Sequence, residues 1–206
     1  MTGATPIRIL LADDENLIRS ALAALLALEE DLDVVAKAAS GAEALAMARA
    51  SAPDVAILDL QMPDRDGISV AAELATVVPG CAAVIVTGHG RPGHLKRALE
   101  AGVRGFLPKT VHAAVLGDVV RTVHGGGRYV DPELAAEAIS AGDSPLTPRE
   151  ADVLELAAGG APVEEIAARA HLSPGTVRNH LSAAAAKLGA PNRHAAADIA
   201  RRHGWI

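Results

Sequence analysis

The stretch DVAILDLQMPDRDG, Asp54 to Gly67, decides the fold. Val55 to Leu58 is an apolar run of strand length, so it reads as a buried strand. It ends on a carboxylate, Asp59, and a second apolar residue, Leu60, follows directly. A loop containing Pro63 and Gly67 comes next. An apolar strand without alternation belongs inside a parallel sheet covered on both faces. In such sheets the chemistry lies beyond the carboxyl ends of the strands, where Asp59 stands.

The flanking sequence repeats the alternation. Ile7–Ala12, Val34–Ala38, Ala83–Thr87 and Arg104–Leu107 are the other strand candidates. Between them, Asn16–Leu28, Ala42–Ala50, Ile68–Val77 and Leu95–Ala101 carry helical spacing, and a fifth helix is expected over Val111–His124. Five strands alternating with five helices predict a doubly wound α/β fold with a parallel five-stranded sheet. Gly125–Gly127 then break the pattern. A short helix is expected at Glu133–Ser140, and SAGDSP, Ser140 to Pro145, is a second break. The expected organisation is an α/β domain over 1–125, a linker over 126–144 and an all-α domain over 145–206.

The 206 residues suit one large domain or two small ones. Half of them are hydrophobic, much of that alanine, and charge is ordinary at 21%, which argues against disorder. Phe106, Tyr129 and Trp205 are the only aromatics. The single Cys81 excludes an internal disulfide and reads as a small core residue in a reducing compartment. Neither a secretory leader nor a run of about 18 apolar residues is apparent, so the expectation is a cytoplasmic protein with no membrane partner. Net charge is −7 over residues 1–144 and +1 over 145–206. Within the second part, Ile166 to Ala197 holds Arg169, Arg178, Lys187 and Arg193 and no acid.

Asp13, Asp14 and Asp59 all fall at strand ends on neighbouring strands. Three like charges in one crevice repel unless a cation sits among them, and oxygen-only ligands suit Mg²⁺. Taken alone, Asp14 reads as a helix cap and Lys109 as a solvated charge. Thr87 and Lys109, at the ends of the fourth and fifth strands, alter that. A phosphoryl group on Asp59 would be met there by a cation, a hydroxyl and an ammonium.

LADDE, ILDLQMPDRDG, VTGH and GFLPKT, in this order, resemble the receiver domain of two-component response regulators over the first ~125 residues. The resemblance implies a flavodoxin-like sheet of order 2-1-3-4-5. It implies that Asp59 is the phosphoacceptor, that Asp14, Asp59 and the Gln61 backbone carbonyl bind Mg²⁺ directly, and that Asp13 does so through water. Thr87 and Phe106 are implied as a switch pair, and Lys109 as the phosphate-binding lysine. Phe106 reads equally as plain core. One departure stands out: many receivers have proline after the lysine, often with a cis bond, whereas here Pro108 precedes Lys109 and Thr110 follows.

The second part opens on LTPRE, with Thr147 as N-cap, Pro148 in the first turn and Glu150 completing a capping box. Further helices are expected at Val163–Ala170, Pro174–Leu188 and His194–His203. Ser173 can cap the third, and the spacing fits a helix-turn-helix whose second helix enters the major groove. From spacing alone a generic helical hairpin fits as well. LTPRE, EEIAARAHLSPGTVRNHL, KLGAPNRHAAA and the closing GWI resemble the LuxR-type DNA-binding domain. Receiver plus this domain is the arrangement of the NarL/FixJ family, and TVRNHLS with the terminal GW is similar to its fatty-acid-desaturase regulator branch. By position, Arg178, Asn179 and Ser182 are expected near base edges and Thr176, His180 and Lys187 near phosphates, with Ser173 also among the DNA-binding residues. Ser182 departs from relatives that often carry a basic residue there, and His180 reads equally as a structural histidine.

The resemblance therefore implies a transcription regulator, not an enzyme beyond its own phosphotransfer and dephosphorylation. A sensor histidine kinase, promoter DNA and a second copy of the phosphorylated chain are the implied partners. An aspartyl phosphatase usually has a second acid two residues after the nucleophile, where Gln61 stands. A flavin-binding fold needs a Ser/Thr-rich phosphate loop where ADDEN is acidic. The alternative that keeps DNA binding is a phosphorylation-independent LuxR-type regulator with an atypical receiver.

Overall fold

The computed structural model describes residues 5–88, 92–141 and 144–206. His89 of the VTGH motif, and Gly142 and Asp143 of the expected linker, lie outside them. The contacts form two compact units: one holds the sheet and reaches Asp131, and the other joins residues 92–96 to Pro132–Ile206.

The first unit alternates β1 (Ile7–Ala12), α1 (Asn16–Leu26), β2 (Leu32–Ala38), α2 (Gly41–Ser51), β3 (Val55–Asp59), α3 (Gly67–Val77) and β4 (Ala82–Thr87). Next come α4 (Pro92–Glu100), β5 (Gly105–Pro108), α5 (Ala113–His124) and β6 (Tyr129–Val130). All strand pairs are parallel and the order is β2-β1-β3-β4-β5-β6. The expected order of the first five strands is present, but the five-strand expectation is corrected to six. Tyr129 N donates to Arg104 O and Asp131 N to Phe106 O, which lays Tyr129–Val130 along β5. Two residues after a glycine run are too few to show strand periodicity in a sequence.

Every residue of β3 is buried, as its unbroken apolar run requires. One face of the sheet packs Ile9, Leu11, Val55, Ile57, Val84, Val86 and Leu107 against Leu26 of α1 and Leu116, Val119 and Val120 of α5. The opposite face is covered by α2 and α3. Phe106 is 1% exposed and lies across from Ile85 in the β4–β5 register. Thr87 stands two residues beyond Ile85, so Thr87 and Phe106 share a face of the sheet.

The second unit holds α6 (Pro132–Ala141), α7 (Pro148–Ala158), α8 (Val163–Ala170), α9 (Pro174–Lys187) and α10 (Arg193–Arg202). Side chains set most of the starts. Thr147 and Glu150 form the capping box of α7, Ser173 accepts from Thr176 N, and Asn192 accepts from His194 N and Ala195 N. His171 ends α8 with a left-handed backbone (φ +53°), which turns the chain into α9. Val153, Leu154, Ile166, Val177, Leu181 and Ala200 share one core. Among the described residues, no helix is long and apolar enough to cross a membrane.

Candidate phosphoacceptor pocket and nucleic-acid interface

The register brings the polar residues to one rim. Ala12 pairs with Leu58, so Asp13 and Asp59 extend neighbouring strand ends. Thr87 pairs with Pro108, and Lys109 N donates to Thr87 O at 2.7 Å. Carboxylate oxygens of Asp13, Asp14 and Asp59 all lie within 4.8 Å of one another. Asp13, Asp59 and Thr87 are buried, whereas Asp14 is exposed. Glu15, not Asp14, is the N-cap residue of α1, which leaves the Asp14 carboxylate to the cluster. An all-carboxylate set of this size fits a hard divalent cation that keeps several waters.

Lys109 reaches into the cluster. Its Nζ is 2.8 Å from Asp13 Oδ2, 3.0 Å from Glu15 Oε1 and 3.2 Å from Asp59 Oδ2. Burial opposes the ammonium, but the hydrogen bond to Asp13, the Asp59 charge and the hydrogen bond to Glu15 outweigh it. The Lys109 pKa is held above the ordinary lysine value. Burial pushes the Asp59 carboxyl up to about 6; Lys109 pulls it down, and the charges of Asp13 and Asp14 push it further up. Glu15 was not anticipated as a pocket residue; its place directly after Asp13 and Asp14 was the available signal.

The loop after Asp59 is tied at several points. Asp64, with φ +70°, accepts from Gly41 N at 3.0 Å and Ala42 N at 2.9 Å, binding the loop to the start of α2. Arg65 pairs with Glu73 of α3. Asp66 caps α3 through Ser69 N at 2.7 Å and takes Arg97 of α4 at 3.4 Å. A Cβ on Gly67 would fall 2.2 Å from the Asp59 carbonyl oxygen. The DRDG residues therefore fix the backbone that carries Gln61. Sequence reasoning assigned none of them a role, although an Asp immediately before a helix is a recognisable cap signal. The lysine loop has no cis peptide among the described residues, in line with Thr110 standing after Lys109.

In the second unit, α9 presents the expected residues. Ser173, Arg178, Asn179, Ser182 and Lys187 are exposed, and Thr176 and His180 are half-buried. Val177, Leu181 and Ala184 form its buried side. Arg178, Leu181 and Ser182 also line an open groove with Asn192 and Arg193 at the start of α10. The acid-free stretch of sequence is not acid-free in space. Arg178 lies 3.6 Å from Glu164 and Arg169 lies 3.7 Å from Glu165, both acids of α8. Lys187 Nζ donates to Glu150 Oε2 at 2.7 Å, and the same oxygen accepts from Thr147 N at 2.6 Å. A phosphate contact by Lys187 would share an ammonium that already ties the end of α9 to the capping box of α7.

Comparison with known proteins matches these two parts separately. Residues 9–121 match the response regulator receiver domain, and residues 144–200 match the bacterial regulatory proteins of the luxR family. The chain is 42% identical to the uncharacterized transcriptional regulatory protein YvfU of Bacillus subtilis, covering 97% of this chain and 100% of that protein. It is 39% identical to the transcriptional regulatory protein DesR of the same organism, covering 97% and 99%. The DesR match agrees with the resemblance carried by TVRNHLS and the terminal GW. Among solved structures, the response regulator ChrA of a heme-sensing two-component system is similar with a TM-score of 0.58 at 32% identity. That similarity covers 98% of this chain and 100% of ChrA. Sheet order, acidic pocket, helix-turn-helix and full-length relatives agree: the chain belongs to the two-component response regulators that join a receiver domain to a LuxR-type DNA-binding domain.

Proposed function

We propose that Asp59 accepts a phosphoryl group from a sensor histidine kinase and that the modified chain dimerises and binds promoter DNA in the cytoplasm. The observation that carries this is the approach of Lys109 Nζ to both Asp13 and Asp59 in a buried pocket. In the transfer, an Asp59 carboxylate oxygen bonds to phosphorus as the P–N bond of the phosphohistidine breaks. The electron pair of that bond returns to the imidazole. Asp13, Asp14, Asp59 and the Gln61 carbonyl would hold Mg²⁺, which would supply charge neutralisation for the phosphoryl oxygens. Lys109 binds one of those oxygens, and the Thr87 hydroxyl donates to another. Phe106, on the same face as Thr87, follows its movement and biases a two-state equilibrium of the receiver.

The domain limits we assign are 1–125 for the receiver, 126–144 for the connection and 145–206 for DNA binding. In the second domain, Arg178, Asn179 and Ser182 read bases, while Ser173, Thr176, His180 and Lys187 position the helix on phosphates. Two copies then set their α9 helices on half-sites about one helical turn apart. An uncharged exposed face on α1, which includes Leu17 at 82% exposure, supports a protein partner beside the pocket.

The test is intact mass after incubation with a small phosphodonor, with and without Mg²⁺, for the wild type and Asp59→Ala. A gain of one phosphoryl group that needs Mg²⁺ and Asp59 is expected. No gain in the wild type under either condition would favour a regulator that works without phosphorylation.

A further inference from the structure

Lys109 Nζ carries three N–H donors, and three carboxylates surround it. Two of them, Asp13 and Asp59, belong to the group whose oxygens converge closely enough to share a cation. Glu15 does not. Its backbone N–H donates to Asp13 Oδ1 at 2.8 Å, while its side chain accepts from Lys109 at 3.0 Å. Glu15 is 60% exposed at its side chain, whereas Lys109 is only 11% exposed. An exposed ion pair on its own contributes little. A largely buried ammonium left without an acceptor, however, is costly.

A divalent cation among Asp13, Asp14 and Asp59 changes what Lys109 faces. The aspartate oxygens would be engaged by the cation, and two positive charges would then repel across a pocket of low dielectric. Of the three carboxylates around the ammonium, Glu15 is the one outside the set that would hold the cation. We infer that Glu15 is a positioning residue, holding the Lys109 ammonium when the cation takes Asp13 and Asp59, until a phosphoryl oxygen replaces it. This rests on the proposed function for its last step, the hand-over to phosphate; the cation-linked step stands on the pocket geometry alone.

The experiment is a double-mutant cycle on the full chain, read as Mg²⁺ affinity by titration calorimetry. Wild type, Glu15→Gln, Lys109→Met and the double variant are compared. Glu15→Gln is expected to weaken Mg²⁺ binding about three- to tenfold when Lys109 is present. In the Lys109→Met background the same change should have an effect below about twofold, because there is no ammonium to hold. Glu15→Asp, which keeps the charge, should recover part of the affinity. An unchanged affinity in Glu15→Gln overturns the inference. So does an equal loss in both backgrounds, which marks a plain surface charge acting on the cation without Lys109.

Phosphoryl gain by the wild type, read by mass, separates this from the proposed function. Coupling without phosphoryl gain keeps the holding role and sinks phosphotransfer. Phosphoryl gain without coupling does the reverse.

Discussion

Gly67 packs against the carbonyl of Asp59 so closely that a methyl group at residue 67 would fall 2.2 Å from that oxygen. The first residue of α3 thereby sits on the backbone of Asp59, the proposed phosphoacceptor. That separation leaves no room for any side chain, and the obstacle is main chain, which cannot rotate away. Gly67→Ala should therefore cost about 1–3 kcal/mol of stability, the usual penalty for overpacking. It should also slow phosphoryl gain, because the carboxylate would move with its carbonyl. Urea unfolding with intact-mass kinetics on the same variant would check both; wild-type values in both would contradict the packing described.

Asp59 provides a pH dependence. Its folded-state pKa is raised to about 6 by burial, above the ordinary value of 3.8. Below pH 4 both folded and unfolded chains hold the proton and Asp59 costs nothing. Between pH 4 and 6 the unfolded chain releases it first, so stability falls as pH rises; above pH 6 the cost is constant. In EDTA, Asp59→Asn should match the wild type near pH 4 and exceed it by about 2–3 kcal/mol at pH 8. Saturating Mg²⁺ should shrink that gap by stabilising the wild type selectively. A gap of the same size at pH 4 and pH 8 would contradict the burial argument.

Arg178 and Lys187 should separate in their effects. Arg178 is exposed and only 3.6 Å from a similarly exposed glutamate, so Arg178→Ala should leave stability within about 0.5 kcal/mol and weaken DNA binding. Lys187→Met leaves the buried Glu150 carboxylate without its cation, a loss of about 1–3 kcal/mol. Glu150 has a lowered pKa: burial alone would raise it, but Lys187 and Thr147 reverse the sign. Its contribution is present at neutral pH and disappears as pH falls through that lowered value, so the Lys187→Met deficit should narrow in acid. Electrophoretic mobility shifts and urea titrations at pH 7 and pH 3.5 would measure these differences.

The strands and their polar ends were legible because buried parallel strands write continuous apolar runs, and carboxylates break them sharply at Asp13 and Asp59. The helix starts at Thr147, Ser173 and Asn192 stand beside short polar side chains, of which the first two were anticipated. What stayed hidden is what needs two distant residues at once. Glu15 reads as one more acid until Lys109, 94 residues later, is placed beside it. Asp64 reads as a loop residue until the start of α2 arrives at its carboxylate. The acid-free stretch from Ile166 to Ala197 read as a basic face because its counter-charges, Glu150, Glu164 and Glu165, come earlier in the chain.

Among the described residues, the helical core from Leu146 to Ala200 is built from Leu146 and helices α7 to α10. A group of helices with its own interior and its own end-caps is a cooperative unit in its own right. Heating this chain should then give two calorimetric transitions, with no single melting temperature. Mg²⁺ should move only the one that belongs to the sheet. Such a self-contained interior also makes the helical domain transplantable: joined to a different receiver, it should carry its DNA preference along and take its trigger from the new host.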